Sequence, residues 1–359
     1  MEILDWVVLV FSIGFIVLYG IWKNIKNKDL QEYFKGNNKS RWWTIGISVM
    51  ATQASAITFL STPGQAYSDG MGFIQFYFGL PFAIIIISMF FLPIYHKLKV
   101  YTAYEFLEKR FNKKTRNLAS LLFLIQRGLA AGITIYAPAI IMSLILKWPL
   151  YLLIIIIGSL VTFYTLIGGT KAVNVTQKQQ MFVIFIGLFI TIYYIFKGIP
   201  KEFSFNEVLE IAGANGKLDI LNFDLDFKSR YTFWSGITGG LFLALSYFGT
   251  DQSQVQRYIS GKSLKESQKG LFFNAILKVP MQFFILFIGV SVFVFYQFNM
   301  SPINFNTAAL ERVRNSKFNT EFEILEQKHK ETQEEKFFLM KTFPESNGIQ
   351  EIKKLQEAE

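Results

Sequence analysis

Three apolar stretches of this sequence carry the side chains with the means to do chemistry. The first, WWTIGISVMATQASAITFLSTPGQAY (42–67), sets Gln53, Ser55 and Thr58 among the small and hydroxylated residues that crowd Ser48–Thr62. The second places Arg127 beside Gln126, and the third places Lys278 four residues before Gln282. Pro63 and Gly64 are predicted to weaken the first helix beyond them. Polar, interruptible helices of this kind suit a site where freed carbonyls coordinate an ion or line a cavity. The same small residues suit a plain helix–helix seam equally well. A cation inside an apolar helix costs roughly 2.5–3.5 kcal/mol on insertion scales, so Arg127 and Lys278 either face a cavity or snorkel to an interface.

Other chemistries lack their parts. The chain has no cysteine, which excludes disulfides, thiolate zinc sites and iron–sulfur clusters. Its two histidines are His96 and His329, and no HExxH, GxSxG or Walker pattern occurs, so a metal or nucleophile centre of an enzyme is not expected. No Asp or Glu lies deep in an apolar stretch, which argues against a carboxylate proton relay; a cation held by carbonyls and hydroxyls needs none.

The elements that position these residues are membrane spans. Hydrophobic residues make up 52% of the 359 and charged ones only 17%, too little polar surface for soluble domains. Apolar blocks near the bilayer length of ~20 residues predict eight helices, at 3–22, 42–67, 72–95, 117–146, 149–167, 179–196, 231–249 and 270–298. The net charge of +10 is then the signature of basic cytoplasmic loops rather than of nucleic-acid binding. Loops 23–41, 96–116, 168–178 and 250–269 hold 19 Lys and Arg, against six in 68–71, 147–148 and 197–230. The rich set belongs in the cytoplasm, so both termini are expected outside. Glu2 and Asp5 precede the first apolar block and Lys23, Lys26 and Lys28 follow it, the reverse of a cleaved signal peptide. Residues 1–299 are thus read as a membrane domain. Residues 300–359, with 11 Glu and nine Lys plus Arg, are read as a charged, helical extracytoplasmic segment with a solvated face and no site.

Longer motifs carry a resemblance. Tyr33–Phe111 (YFKGNNKSRWWTIGISVMATQASAITFLSTPGQAY…FLPIYHKLKVYTAYEFLEKRF) resembles the early region of the sodium/solute symporter family almost without gaps. TFYTLIGGTKAVNVTQKQQ (Thr162–Gln180) and SYFGTDQSQVQRYISGKS (Ser246–Ser263) are similar to its two strongest motifs, and YAPA (Tyr136–Ala139) to its monocarboxylate, vitamin and iodide branch. The resemblance covers roughly residues 1–300. It implies an all-α membrane protein with the five-plus-five inverted-repeat (LeuT-like) transporter fold, an extra helix in front, and sodium-coupled uptake of a small organic solute by alternating access. On this reading the eight spans are the extra helix, the first repeat and two helices of the second.

Carried over by position, the resemblance makes the backbone carbonyls of Ala51 and Ala54 ligands of the sodium ion, with Gln53 and Ser55 near it. Tyr247 matches the aromatic gate under the solute, with Phe248 beside it. Lys278 matches a lysine that holds sugar in the sugar carriers, whereas Thr58 and Tyr77 fall at solute-side positions of different type, against a sugar solute. Gln177 stands where the family has Asp on the sodium exit path and offers a weaker field. The family's remaining sodium ligands, on its eighth core helix, have no counterpart, so the chain is expected to be an N-terminal fragment that inserts in the cell membrane without transporting alone. The rival reading is a symporter-like sensory or regulatory membrane domain, although residues 300–359 show no phosphoacceptor or nucleotide-binding segment. No protein partner is implied.

Overall fold

The computed structural model describes residues 3–24, 40–226 and 228–341. Most of the basic loop 23–41 and everything beyond Lys341 fall outside that range. Among the described residues the protein is helical apart from one isolated bridge, Ser40 to Gly261. The helices are α1 (Ile3–Asn24), α2 (Trp42–Gln53), α3 (Ile57–Asp69), α4 (Met71–Leu98), α5 (Glu105–Arg110), α6 (Lys113–Leu146) and α7 (Leu150–Lys197). They continue with α8 (Phe205–Ala214), α9 (Phe233–Gly249), α10 (Gln252–Ile259), α11 (Leu264–Phe298), α12 (Thr307–Arg314) and α13 (Asn319–Lys341). Leu129 on α6 and Phe189 on α7 are 69% and 61% exposed, as side chains that meet acyl chains rather than a protein core should be.

Two expectations about the helices are corrected. Pro63 and Gly64 do not weaken the helix beyond them, because α3 runs through them to Asp69. A wide π-helical turn, Ile57–Ser61, comes just before, and it removes the regular carbonyl spacing against which a proline ring clashes. The connection 168–178 is not a loop either: α7 is one helix of 48 residues. At 1.5 Å per residue that is about 72 Å, more than twice the ~30 Å hydrocarbon thickness, so it carries two span-length apolar blocks on one backbone. Gly168 and Gly169 cost only about 1 kcal/mol each inside a helix, too little to break one flanked on both sides by strong apolar helix.

The centre of the protein is the crossing of α11 with α2 and α3. Gly46 on α2 packs beneath Phe273, Gly270 sits against Ile45, and a Cβ on Gly289 would collide with the backbone of Pro63. A second close crossing joins α9 to α4: a Cβ on Gly79 would strike the backbone of Gly240 and Leu241, and one on Gly236 would strike the carbonyl of Gln75. Small residues at both crossings bring backbones together, as packing without a hydrophobic drive requires. Around them lie three apolar clusters. One joins α2, α4, α9, α10 and α11 through Ile45, Ile84, Phe248, Tyr258 and Leu271. Another joins α3, α4, α8 and α11 through Ala66, Ile74, Ile211 and Leu286, and the third joins α2, α7 and α11 through Met50, Leu188 and Ile285.

The charged segment is helical, as Lys330 with Glu334 and Gln327 with Glu331 illustrate at i,i+4 spacing. It is not solvated all round. Gln333 and Lys336 are buried, Phe337 and Leu339 join the second apolar cluster, and His329 Nε2 lies 2.8 Å from the carbonyl oxygen of Ser301, just beyond α11.

Candidate functional site

The stretch that holds Gln53, Ser55 and Thr58 is a broken helix. Between α2 and α3 the axis turns by 71°. Ala54 leaves helical geometry at φ −80°, ψ 81°, and its N–H bonds to the carbonyls of Met50 and Ala51 at 3.2 and 3.1 Å. The next donors are diverted. Ser55 N–H, which a continuous helix would give to Ala51, bonds to Gln53 O at 3.0 Å, and Thr58 N–H, which would go to Ala54, bonds to Ser55 O at 3.0 Å. Thr58 Oγ1 also donates to Gln53 O, at 3.3 Å. The break thereby frees acceptor capacity on the Ala51 and Ala54 carbonyls at mid-helix, the donor set that a desolvated monovalent cation fits.

Beside the break opens a cavity of about 620 Å³. Gln53 of α2, Tyr77 of α4, Tyr247 and Phe248 of α9 and Lys278 of α11 all line it, so the fold brings together five sequence-nominated residues from four helices. Thr58 is not among the lining residues and acts at the break instead. The walls are aromatic. Phe73 meets Tyr77 and Tyr231 edge-on at 5.8 and 5.4 Å, and Phe76 meets Tyr231 at 5.5 Å. Lys278 does not snorkel: it is 1% exposed, and its Nζ lies 5.7 Å from the centre of the Tyr77 ring. Arg230 supplies a second cation to the lining, and no carboxylate is among the described lining residues. The i, i+3, i+4 spacing of Phe73, Phe76 and Tyr77 on one helical face is the signal by which the aromatic wall is readable from sequence.

Gln177 reaches the same broken helix from α7, at Ser48 and Thr52 in the last two turns before the break. Ser48 Oγ donates to its Oε1 at 2.8 Å and its Nε2 donates to Thr52 Oγ1 at 3.1 Å. The amide thus satisfies one hydroxyl as acceptor and the other as donor, a division of labour that a carboxylate, which only accepts, does not offer.

Arg127 has a partner that its sequence position does not announce. Its Nη2 lies 2.6 Å from Asp251 Oδ2 and 2.5 Å from Ser253 Oγ, and its guanidinium carbon lies 5.8 Å from the centre of the Tyr247 ring. Asp251 sits in the two-residue step between α9 and α10 and caps α10 by accepting from Ser253 N at 2.8 Å. The nearby Tyr104, in the turn before α5, has its phenol pushed up to about 12, first by burial and then by the Asp251 charge. The need of an intramembrane arginine for a counter-ion was the available sequence signal for Asp251.

A helix broken at mid-depth, crossed by small residues and flanked by an aromatic cavity, is the architecture of a secondary transporter. The comparisons with known proteins name the class further. The family model described as "Sodium:solute symporter family" matches residues 33–318, and the chain belongs to that family. It is 33% identical to human sodium-coupled monocarboxylate transporter 2 over 276 residues, 76% of this chain and 44% of that protein. To the human sodium/iodide cotransporter it is 29% identical over 292 residues, 80% of this chain and 45% of that protein. A solved structure, of a Na⁺-coupled sialic acid symporter in a substrate-bound outward-open state, matches with a TM-score of 0.79 at 28% identity, covering 85% of this chain and 65% of that one. The fold is therefore the inverted-repeat transporter fold expected from the sequence, and the chain spans less than half the length of the two human relatives.

Proposed function

We propose that this chain supplies the solute cavity and the carbonyl side of a sodium site to a sodium-coupled symporter of the cell membrane, with a small organic anion as the solute and with no enzymatic activity. The observation that carries the reading is the cavity beside the α2–α3 break, in which Lys278 and Arg230 have aromatic neighbours and no lining carboxylate. A buried ammonium without a counter-ion is costly, and an anionic solute supplies the counter-ion on binding. The Ala51 and Ala54 carbonyls, with Gln53 and Ser55 beside them, would hold sodium; Tyr247 and Phe248 would close beneath the solute, and Gln177 would border the sodium exit. Monocarboxylate and iodide in the names of the similar carriers agree with an anion. Binding energy contributes to alternating access only where sodium and solute prefer one state of the cavity over the other. Basic loops place both ends of the chain outside.

The test is binding to the purified protein in lipid nanodiscs, with labelled pyruvate and with a neutral hexose, in sodium and in choline. Pyruvate binding that needs sodium, with the hexose binding at least tenfold more weakly, supports the reading. Equal binding of the hexose, or indifference to sodium, overturns it.

A further inference from the structure

Arg127 stands out because of what it joins. None of the residues of α6 belongs to the three apolar clusters that organise the other transmembrane helices. Yet this one side chain reaches from α6 to the corner where α9 ends, pairing with Asp251 at 2.6 Å and with Ser253 at 2.5 Å while it leans over the Tyr247 ring at 5.8 Å. Tyr247, in the last turn of α9, and Asp251, in the step that follows it, both face Arg127. The Asp251 side chain is only 10% exposed and that of Arg127 32%, so the pair is screened by water on one side only. The corner itself is held from the far side by Tyr95 Oη, which donates to Gly249 O at 2.8 Å, and by Tyr258 Oη, which donates to Phe248 O at 2.9 Å. On the α6 side the charged pair is the tie.

We propose that Arg127 is a positioning residue for Tyr247: its ion pair with Asp251 clamps the α9–α10 corner to α6, keeps the Tyr247 ring across the floor of the cavity, and opens that floor when it breaks. The proposal rests on the reading of Tyr247 as the closing residue and adds the group that sets its place. A neutral side chain at 127 leaves the Asp251 carboxylate without its cation in a mostly dry site, so the corner swings to hydrate it. Exchange of the two charges restores the attraction but not the cap that Asp251 gives α10, so it recovers the tie in part.

The chain has no cysteine, so Ala244→Cys, in the cavity lining, is a sole thiol reporter. Its labelling by a membrane-impermeant thiol reagent is timed separately from each face of membrane vesicles. Arg127→Gln and Asp251→Asn should each speed labelling from the cytoplasmic face about tenfold, within the usual range of coupling between linked sites. The exchange R127D/D251R should bring the rate at least about threefold back towards the parent, and Arg127→Lys should fall between the parent and Arg127→Gln. Faster labelling from both faces, not reversed by the exchange, would mean a general packing defect and would overturn the proposal. Unchanged rates in both single variants, with Tyr247→Ala still opening the floor, would also overturn it while leaving the gate reading intact. Single variants that open the floor while Tyr247→Ala does not would overturn both the proposal and the gate reading, because the floor would then close through another group.

Discussion

Lys278 is the residue on which the solute class turns. It is buried beside Tyr77, two residues before Pro280, with the buried Asn274 and Gln282 one turn to either side. Lys278→Gln keeps the length and a hydrogen-bond donor but removes the charge. We expect it to weaken binding of a carboxylate solute by about 10- to 100-fold, the worth of one charge-assisted hydrogen bond in a dry site, and to leave a neutral analogue within a few-fold. Isothermal titration with pyruvate and with its methyl ester measures both; parallel losses would make Lys278 structural. Gln177 offers a second test. In Gln177→Asp, Ser48 can still donate but Thr52 loses a donor, and the added negative charge raises the local cation concentration. The sodium concentration for half-maximal solute binding should fall about threefold or more. An unchanged value removes residue 177 from the sodium path. Both residues were legible in the sequence, Lys278 as a cation out of place and Gln177 as a departure from a motif. The Arg127–Asp251 pair was not, because the two lie 124 residues apart and Asp251 reads as a loop residue until the α9–α10 corner is folded against α6.

Glycine crossings govern how the helices sit, and they respond to a single methyl in opposite directions. Gly289→Ala puts a Cβ into the Pro63 backbone and should destabilise by about 1–3 kcal/mol, as overpacking does. Gly239→Ala meets nothing within 4 Å on the exposed side of α9 and should stabilise by about 0.4–1 kcal/mol through the unfolded chain. Thermal unfolding in one detergent compares the two, and shifts of the same sign would refute the crossing. At the start of α8 the capping box Ser204–Glu207 gives a pH signature. The Ser204 hydroxyl and then its N–H, both donating to the Glu207 carboxylate, hold that carboxyl below its ordinary value. A lowered folded value means that the contribution is complete above the unfolded carboxyl range of about 4.3 and fades as pH falls through the folded value. The Tm advantage of the parent over Glu207→Ala should therefore shrink below pH about 4, and a constant difference would rule the linkage out. Sequence reading found the polar second span and its interruption because residue types there violate the composition of a lipid-facing helix. It expected Pro63 and Gly64 to weaken the helix beyond them, which they do not, because a π-helical turn, invisible in residue types, absorbs the proline. It read a loop at 168–178 because two glycines and two lysines look like punctuation, although helix on either side outweighs them.

Across the whole molecule, five described helical segments, two of them in α7, are long and apolar enough to cross a bilayer, and the bent α2–α3 pair makes a sixth. The first expected span corresponds to α1, of 22 residues, and the seventh to α9, of 17. The proposed eight crossings with basic loops inside would put both ends outside. A reporter active only in the cytoplasm, fused after Glu359, should stay dark, and a bright one would reverse the topology. The docking of α13 has a mechanical meaning. His329 and Gln333 hold α13 to Ser301 at the end of α11, and Phe337 and Leu339 seat it on the second apolar cluster. From His329 back to Asn319 the helix extends about 15 Å past that hold, a rigid pointer bolted to the shaft of α11. A rotation of the shaft by about 10°, carrying Lys278 with it, would sweep the pointer's tip through about 3 Å. The exposed end of α13 is thus a gauge needle, and a spin label there reads out the tilt of α11.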